Sequence, residues 1–311
     1  MTEPPRAAAA GRTGAPATTE GLREVDCLFC GLSDEQLLFR EGPFRVVRCR
    51  RCGLTYVTPR LPAERLHQMY QEEYWSSGRA KDFGYTQYLA EAPLYLRTYA
   101  LRSRLITERR PAPGRVLDVG CAAGFFLRVM ADLGWQTTGL EISGAMCAYA
   151  RDTLRLPDVR RGDLLSVPLE PGAFDVVTLW DVIEHLEDPP AHLRAARAAL
   201  RDDGLLVIET QNIASGFAHL MGRRWHHFKH EEHLFHFSPE TLERLLRDAG
   251  LRLLHRTTRY AGKYVSPAFV AERVGRVHPL LSTLASPLAL LRGTSLYVNL
   301  SDEMVVLAAK A

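Results

Sequence analysis

Apolar runs of strand length recur through the chain from about residue 115 onward. Arg115–Gly120, Trp135–Glu141, Val159–Asp163 and Phe174–Trp180 each end in a glycine, an acidic residue or an aromatic residue. Helix-length segments separate these runs, which is typical of alternating strands and helices in a sheet covered on both faces. Phe174–Trp180 is nearly all apolar, which predicts a strand buried on both sides.

The same pattern extends to the C-terminal part of the chain. Leu205–Thr210 and Leu251–Tyr260 predict a fifth and a sixth strand, and a seventh is expected within Ser295–Ala309. The predicted fold class is therefore α/β, with a doubly wound, seven-stranded and mostly parallel sheet. The last two strands are expected to form an antiparallel pair at its edge.

Residues 62–109 are predicted to be helical, beginning with Pro62 in a first turn. This part of the chain is rich in aromatic side chains. Two interpretations stay open: the aromatics line a substrate cleft, or they pack between neighbouring modules. The residues concerned are Tyr70, Tyr74, Trp75, Phe83, Tyr85 and Tyr88.

Length and charge limit the possible classes of protein. With 311 residues and 46% hydrophobic residues the chain suits one large domain with appendages. A net charge of +3 is too small to predict attraction to nucleic acid or to a membrane surface. Residues 1–22 lack periodicity and are expected to be a disordered tail without a secretory signal. The expected location is the cytoplasm.

Two Cys-x-x-Cys pairs, Cys27/Cys30 and Cys49/Cys52, predict a zinc ribbon over residues 23–60. Gly31 or Gly53 follows each pair and permits the tight turn that directs two sulfurs toward one ion. Four thiolates leave no open coordination position, so a structural role for the zinc is expected. Disulfides, free thiols and a catalytic metal are the alternatives.

The ribbon also carries local positive charge from Arg45, Arg48, Arg50 and Arg51. A nucleic-acid surface is one interpretation of this charge. No continuous stripe of basic and aromatic residues extends it, which favours a solvated face on a module that caps the substrate.

A glycine turn follows the first strand. Gly120 and Gly124 suit turn conformations and close approaches that a Cβ would prevent. In an open parallel sheet, ligands bind beyond the carboxyl ends of the strands. Gly120, Glu141, Asp163 and Asp181 all fall at that edge, so a nucleotide-like ligand is expected there.

Four segments in order resemble the motifs of class I S-adenosylmethionine-dependent methyltransferases: Val116–Gly124, Gly139–Ser143, Arg161–Leu164 and Phe174–Pro189. The resemblance covers roughly residues 85–260. It implies that Glu141 binds the ribose hydroxyls of the cofactor and that Asp163 binds the adenine amine. A different bound nucleotide is the alternative. The implied cofactor-contacting residues are Asp118, Gly120, Cys121, Ala122, Gly124, Phe125, Glu141, Ile142, Asp163, Leu164, Trp180 and Asp181.

One residue in the first motif departs from that family, because Ala122 stands where glycine is frequent. The added methyl group is expected to tighten the turn slightly.

Five of the 11 histidines lie between Trp225 and Pro239. This segment connects the fifth strand to a helix predicted over Pro239–Ala249, with Ser238 as N-cap and Gly250 after its end. Histidine titrates near neutrality and suits a general base. The alternatives are a metal site formed by His226, His230 and His233 on one helical face, and histidines that only hydrogen-bond within the loop.

The string Glu232–Ser238 resembles a segment of methyltransferases that act on sugars and secondary metabolites. That resemblance implies His233 as the catalytic base, Glu232 as its helper and His185 as a further histidine of the pocket. The sugar enzymes also carry a large C-terminal domain, which a chain of this length is not expected to hold. The reaction class follows from the resemblance, and the sugar substrate stays open.

Residues 262–294 are expected to form a helical insertion before the last strand. The apolar part, 279–291, is too short to cross a bilayer. It is interpreted as a lid, a contact with a membrane or a lipid-linked substrate, a dimer contact, or helices packed on the core. The remaining expected units are a substrate cap over 61–110 and a methyltransferase domain over 111–261 plus 295–311.

Together these patterns predict an enzyme that transfers a methyl group from S-adenosylmethionine to a small molecule. The acceptor class is a sugar, a glycolipid intermediate or a secondary metabolite, methylated on oxygen or carbon. One alternative is an RNA or protein methyltransferase that docks through the zinc ribbon. Another is a non-catalytic, zinc-dependent interaction protein. The oligomeric state stays open.

Overall fold

The computed structural model describes residues 21–70, 72–75, 88–271 and 294–311. The predicted tail up to residue 20, the aromatics Phe83 and Tyr85, and the apolar segment 279–291 lie outside these residues. The strands are β1 (Glu35–Glu41), β2 (Phe44–Cys49), β3 (Thr55–Thr58), β4 (Arg115–Val119), β5 (Gln136–Glu141), β6 (Val159–Arg161), β7 (Phe174–Trp180), β8 (Leu200–Gln211), β9 (Phe235–His236), β10 (Leu251–Thr257), β11 (Lys263–Val265), β12 (Leu296–Val298) and β13 (Glu303–Lys310).

Helices cover both faces of the main sheet and connect its strands. The last of them begins at a capping box in which Ser238 and Thr241 satisfy each other's backbone N–H groups. No helix among the described residues is long and apolar enough to cross a membrane. The helices are α1 (Ala63–Met69), α2 (Glu72–Trp75), α3 (Ala92–Thr107), α4 (Phe125–Asp132), α5 (Gly144–Asp152), α6 (Pro189–Ala199), α7 (Gly216–Met221) and α8 (Pro239–Asp248), with 3₁₀ turns at Leu89–Glu91 and Gly222–Arg224.

The main sheet has seven strands in the order β10-β13-β8-β7-β4-β5-β6. Strands β6, β5, β4, β7 and β8 are parallel, whereas β13 runs antiparallel to both of its neighbours. The predicted α/β class and the mostly parallel sheet are confirmed. Six of the seven residues of β7 are buried, because helices cover this central strand on both faces.

The C-terminal part contains a hairpin that the sequence pattern does not predict. The expected seventh strand is divided into β12 and β13, and β12 pairs with β11. Asn299 separates the two strands, since its Oδ1 accepts from the Ser301 N–H at 2.9 Å and its Nδ2 donates to the Thr258 carbonyl at 2.7 Å. This side-chain turn ends one strand before the next begins.

A second, smaller sheet joins the N-terminal module to the histidine-rich segment. Its order is β1-β2-β3-β9, all antiparallel, and β9 comes from the connection between β8 and α8. Thr55 pairs with His236 and Tyr56 with Phe235. The Val57 N–H also donates to the Leu234 carbonyl at 3.0 Å. The fourth strand of the N-terminal sheet is therefore supplied from a segment about 180 residues away in sequence.

Arg60 strengthens this junction from a buried position. Its Nε donates to the Val57 carbonyl at 2.9 Å and its Nη2 to the Leu234 carbonyl at 3.0 Å. The guanidinium lies 4.2 Å from the centre of the Phe235 ring. Burial lowers the pKa of Arg60 to about 10, so the group keeps its charge at neutral pH.

We expect Arg60→Ala to reduce the free energy of unfolding by about 2–4 kcal/mol, because two buried carbonyls lose a charged donor. Arg65→Ala, at an exposed position of α1, serves as the matched control and should change it by less than about 0.5 kcal/mol. Urea unfolding of both variants measures the difference. Equal losses in the two variants would contradict the role of Arg60 at the junction.

Candidate functional site

The glycine turn between β4 and α4 has the bare backbone expected of a ligand cradle. Gly120 and Gly124 have φ angles of +68° and +81°. A Cβ on Gly124 would lie 2.6 Å from Leu156 Cδ1, and one on Gly120 would lie 2.7 Å from Val182 Cγ2. Ala122 also adopts a positive φ, +48°, so this departure from glycine occupies a left-handed position.

Glu141 connects the first two strand ends. Its Oε2 accepts from the Ala122 N–H at 2.9 Å and its Oε1 from the Ser143 N–H at 2.7 Å. Burial raises the pKa of Glu141, while these N–H donors favour its ionised form. Each carboxylate oxygen has further acceptor capacity, which suits ligand hydroxyl groups.

Asp118 lies one position back from the end of β4 and is buried. It accepts a hydrogen bond from Thr178 Oγ1 at 2.6 Å, which ties β4 to β7. Burial raises the pKa of Asp118 to about 8, which favours its protonated form. Asp118 therefore lies within the sheet, behind the glycine turn, and is hydrogen-bonded to the neighbouring strand.

Asp163 follows β6 and organises its own turn. Its Oδ1 accepts from the N–H and the hydroxyl of Ser166 at 2.8 and 2.6 Å. The Oδ2 atom lies 3.5 Å from His192 Nε2. Burial acts to raise the pKa of Asp163, but the Ser166 hydrogen bonds hold it below its usual value. The carboxylate is thus ionised at the third strand end.

The other predicted cofactor residues surround the same edge. Cys121, Phe125, Leu164 and Trp180 are buried, and Ile142 is half-buried. Of these five, Trp180 has a buried indole N–H without a hydrogen-bond partner in the described part of the chain.

The aromatic residues of the expected cap form one connected series of ring contacts. Tyr88 and Tyr95 contact the ring of Phe125, at centroid distances of 5.5 and 5.7 Å. Tyr88 is also 4.9 Å from Trp75. These aromatics pack the N-terminal helices against the first turn of α4. At the other end of the series, Tyr70 lies 4.8 Å from Tyr74 and also contacts His185, one of the two histidines described below.

Asp181 belongs to a partly buried ionic network that the sequence does not predict. Lys263 Nζ lies 3.1 Å from both Asp181 Oδ2 and Glu303 Oε1. Burial opposes ionisation of Asp181, but Lys263 and Arg102 hold its pKa below the usual range. Arg102 forms a fully buried ion pair with Glu209. Glu209 is a carboxylate within the buried, largely apolar second half of strand β8. Because a buried charge requires a partner, this residue is the sequence feature that could have indicated the network.

The two predicted histidines of the pocket lie together. Their rings are 4.7 Å apart and nearly perpendicular. His233 Nδ1 lies 2.7 Å from the His227 carbonyl, and His185 Nδ1 lies 2.9 Å from the Glu232 carbonyl and 3.0 Å from Tyr70 Oη. A carbonyl oxygen only accepts, so each Nδ1 carries the proton and each Nε2 keeps its lone pair.

Glu232 is fully buried beside His233. Its Oε1 lies 2.7 Å from Lys229 Nζ and 3.8 Å from His233 Nε2, which is longer than a direct hydrogen bond. Burial lowers the pKa of His233 well below the ordinary 6.5, and the neighbouring His185 and Lys229 lower it further. His233 is therefore a neutral imidazole at physiological pH.

The alternative of a metal site from His226, His230 and His233 on one helical face is not supported. The segment forms turns, without a helix over these residues. His230 lies against Phe39, with ring centroids 5.7 Å apart, whereas His226 lies beside Asp302. Proximity in sequence does not bring these three rings together.

The four cysteines of the two pairs converge as free thiols. The Sγ atoms of Cys27 and Cys52 are 3.4 Å apart, those of Cys30 and Cys49 are 3.9 Å apart, and all four lie within 4.8 Å of one another. Thiolates around tetrahedral Zn²⁺, at about 2.3 Å each, would be about 3.8 Å apart. The arrangement is consistent with a small zinc site.

Comparison with known proteins places these features in a family. A family model described as "Methyltransferase domain" matches residues 88–256, which is more than half of the chain. The chain belongs to the class I S-adenosylmethionine-dependent methyltransferases. The matched range contains the glycine turn, Glu141, Asp163 and the histidine pair, whereas the cysteine module precedes it.

Two relatives of this methyltransferase are named ubiquinone biosynthesis O-methyltransferases. That of Xanthomonas euvesicatoria pv. vesicatoria is 32% identical over 47% of this chain and 66% of its own length. That of Xanthomonas campestris pv. campestris is 32% identical over 49% of this chain and 69% of its own. The chain thus matches about two thirds of the length of these curated relatives.

Among solved structures, the magnesium protoporphyrin IX methyltransferase of Synechocystis PCC 6803 with bound SAH is 15% identical to this methyltransferase. It covers 78% of this chain and 99% of its own, with a TM-score of 0.49.

We expect Glu141→Gln to raise the Kd for S-adenosylmethionine at least about tenfold, because the substitution removes the negative charge and replaces one of the two acceptor oxygens by a donor NH2 group. Titration calorimetry measures the affinity, and the thermal unfolding midpoint shows whether the variant is folded. Glu170→Gln, at an exposed position, is the control and should bind within about twofold of the wild type. Unchanged affinity in Glu141→Gln would contradict the assignment.

Proposed function

We propose that the protein transfers the methyl group of S-adenosylmethionine to a hydroxyl or an acidic carbon of a small molecule. The proposed acceptor class is a sugar, a glycolipid intermediate or a secondary metabolite. The observation that carries the proposal is a buried, neutral His233 whose Nδ1–H is held by the His227 carbonyl. Its Nε2 lone pair is thereby oriented as a proton acceptor in a methyltransferase fold.

The cofactor is proposed to bind along the first three strand ends. The glycine turn suits such a ligand because it leaves bare backbone at the carboxyl end of β4, where ligands bind in an open parallel sheet. Glu141 would accept from the ribose hydroxyls and Asp163 from the adenine amine. S-adenosylmethionine, when bound, supplies an electrophilic methyl group, and the protein's task is to align the acceptor with it.

His233 is proposed as the general base and Glu232 as a positioning residue. Proton removal from the acceptor requires an unprotonated imidazole, and burial keeps His233 in that form. Glu232 Oε1, 3.8 Å from Nε2, would stabilise the imidazolium that proton transfer creates. His185, with its own Nδ1–H held at the Glu232 carbonyl, would present a second acceptor nitrogen to the substrate.

Oxygen is the acceptor atom that the relatives favour. Both relatives described above are named O-methyltransferases, and a hydroxyl needs a base of the kind that His233 provides. Carbon methylation stays within the proposal because the same base can remove a proton from an acidic carbon.

Cys27, Cys30, Cys49 and Cys52 are proposed to hold one structural Zn²⁺ ion. The four sulfurs occupy every tetrahedral position, so the ion would organise the ribbon without entering the reaction. Through the pairing of β3 with β9, the ribbon would also fix the segment that carries His233. Reduced thiols at this site favour a cytoplasmic location.

We expect His233→Asn to lower kcat by about 10²–10⁴-fold while the affinity for S-adenosylmethionine stays within about twofold. Methyl transfer from labelled cofactor to a panel of phenols, sugar nucleotides and hydroxylated metabolites measures the rate. The control is His255→Ala, at an exposed position of β10, which should keep the wild-type rate.

The pH profile supplies an independent check of the same base. A lowered pKa means that His233 takes up a proton only below the ordinary value of 6.5. The wild-type kcat/KM should therefore stay constant as pH falls from 8 to 6.5 and decline only below that range. A decline that begins above pH 7, or a fully active His233→Asn variant, would argue against His233 as the base.

A further inference from the structure

A second group of metal-ligating side chains lies beside the proposed base and apart from the thiols. His226 Nε2 and His227 Nε2 lie 3.8 and 3.7 Å from the same oxygen, Oδ2 of Asp302. The two imidazole rings are 4.1 Å apart. One ligand atom from each of the three residues lies within 4.8 Å of the other two.

These separations indicate a shared cation more than direct hydrogen bonds. Nitrogen–oxygen hydrogen bonds in proteins are about 2.7–3.2 Å long, which is shorter than either distance to Asp302. Nitrogen and oxygen ligands bound to Zn²⁺ at about 2.0–2.2 Å in a tetrahedron lie about 3.4 Å apart. Glu303 Oε1 also lies 3.5 Å from His227 Nε2, but this oxygen is paired with Lys263 at 3.1 Å.

The buried carboxylate of Asp302 also favours a bound cation. The residue is 4% exposed, and the indole N–H of Trp225, at 2.8 Å, is an uncharged partner. Among the described residues, no lysine or arginine forms an ion pair with this carboxylate. Lys263 is engaged by Asp181 and Glu303. A buried carboxylate without a cationic partner is costly, and a metal ion would offset that cost.

The surroundings of His227 also support a bound metal ion. The residue is 9% exposed, and its buried Nε2 has no hydrogen-bond partner within the part of the chain that the structure describes. A buried ring nitrogen without a partner is unusual unless a ligand completes it.

We propose that His226, His227 and Asp302 bind a divalent transition-metal ion. Two imidazole nitrogens and a carboxylate oxygen suit Zn²⁺, Co²⁺ or Ni²⁺, whereas Ca²⁺ and Mg²⁺ prefer all-oxygen sets. His226 is exposed, so ions enter from the solvent on its side and a water molecule can complete the coordination.

The ion would join the turn at residues 226–227 to the start of β13. The His227 carbonyl holds Nδ1 of His233, so fixing His227 also fixes the orientation of the proposed base. Metal binding itself does not depend on the proposed reaction and can be tested without an acceptor substrate.

Glu184, His185 and His233 form another group with compatible distances. Those side chains belong to the catalytic site already proposed. Glu184 accepts a hydrogen bond from Thr210, and both histidines anchor their Nδ1 atoms on carbonyls. Substitutions in each of the two groups show which of them binds the ion.

The test is equilibrium dialysis of the full-length protein against Co²⁺, with bound cobalt and zinc counted by elemental analysis. The wild type should bind one Co²⁺ per chain in addition to any thiol-held zinc. His226→Ala and Asp302→Asn should raise the Kd for Co²⁺ at least about tenfold, since even residues that only support ligands contribute that much. His255→Ala should leave it within twofold.

Three outcomes would overturn the proposal. One is the absence of Co²⁺ binding beyond the thiol cluster. Another is unchanged affinity in His226→Ala, an exposed substitution that does not threaten folding. The third is loss of binding in His185→Ala with normal binding in His226→Ala, which would move the ion to the other group. Zinc content equal in all variants shows that these differences do not arise at the cysteines.

Discussion

The pairing of β3 with β9 is the constraint on which the candidate active site depends. The segment from Trp225 to Ser238 has little regular structure of its own, and its two-residue strand is held as the edge of the N-terminal sheet. Leu234, Phe235 and Phe237 are buried in the core that this pairing closes. The N-terminal module and the histidine segment therefore share one hydrophobic core, and displacement of one exposes the apolar side chains of the other.

The same hydrogen bonds stabilise this irregular segment and determine its chemistry. Backbone carbonyls outside helices and strands need partners when they are buried. The Glu232 carbonyl accepts from the Nδ1–H of His185, and the His227 carbonyl accepts from the Nδ1–H of His233 as well as from the Lys229 N–H. Satisfying the backbone thus leaves the lone pair of each ring on Nε2. The same hydrogen bonds therefore hold the loop in place and keep the proton of each histidine on Nδ1.

Sequence patterns predicted the features that depend on interactions between residues close together in the chain. The glycine turn, the acidic strand ends and the succession of strands and helices along the chain follow from sequence periodicity and from bare backbone at Gly120 and Gly124. Contacts between distant segments were not predictable in this way. The pairing of β3 with β9, the Lys263 network and the β11–β12 hairpin each join distant parts of the chain. Helical spacing of His226, His230 and His233 was misleading because the segment forms turns.

Hydrogen exchange of the histidine segment tests the central claim, that the thiol-containing module holds this segment in place. Cys49→Ser removes one of the four converging sulfurs, and amide exchange is compared with the wild type at residues 225–238 and 115–141. The account predicts faster exchange at 225–238, including the Leu234 and Phe235 amides, with unchanged protection around the glycine turn. Equal protection of residues 225–238 in both proteins would contradict it.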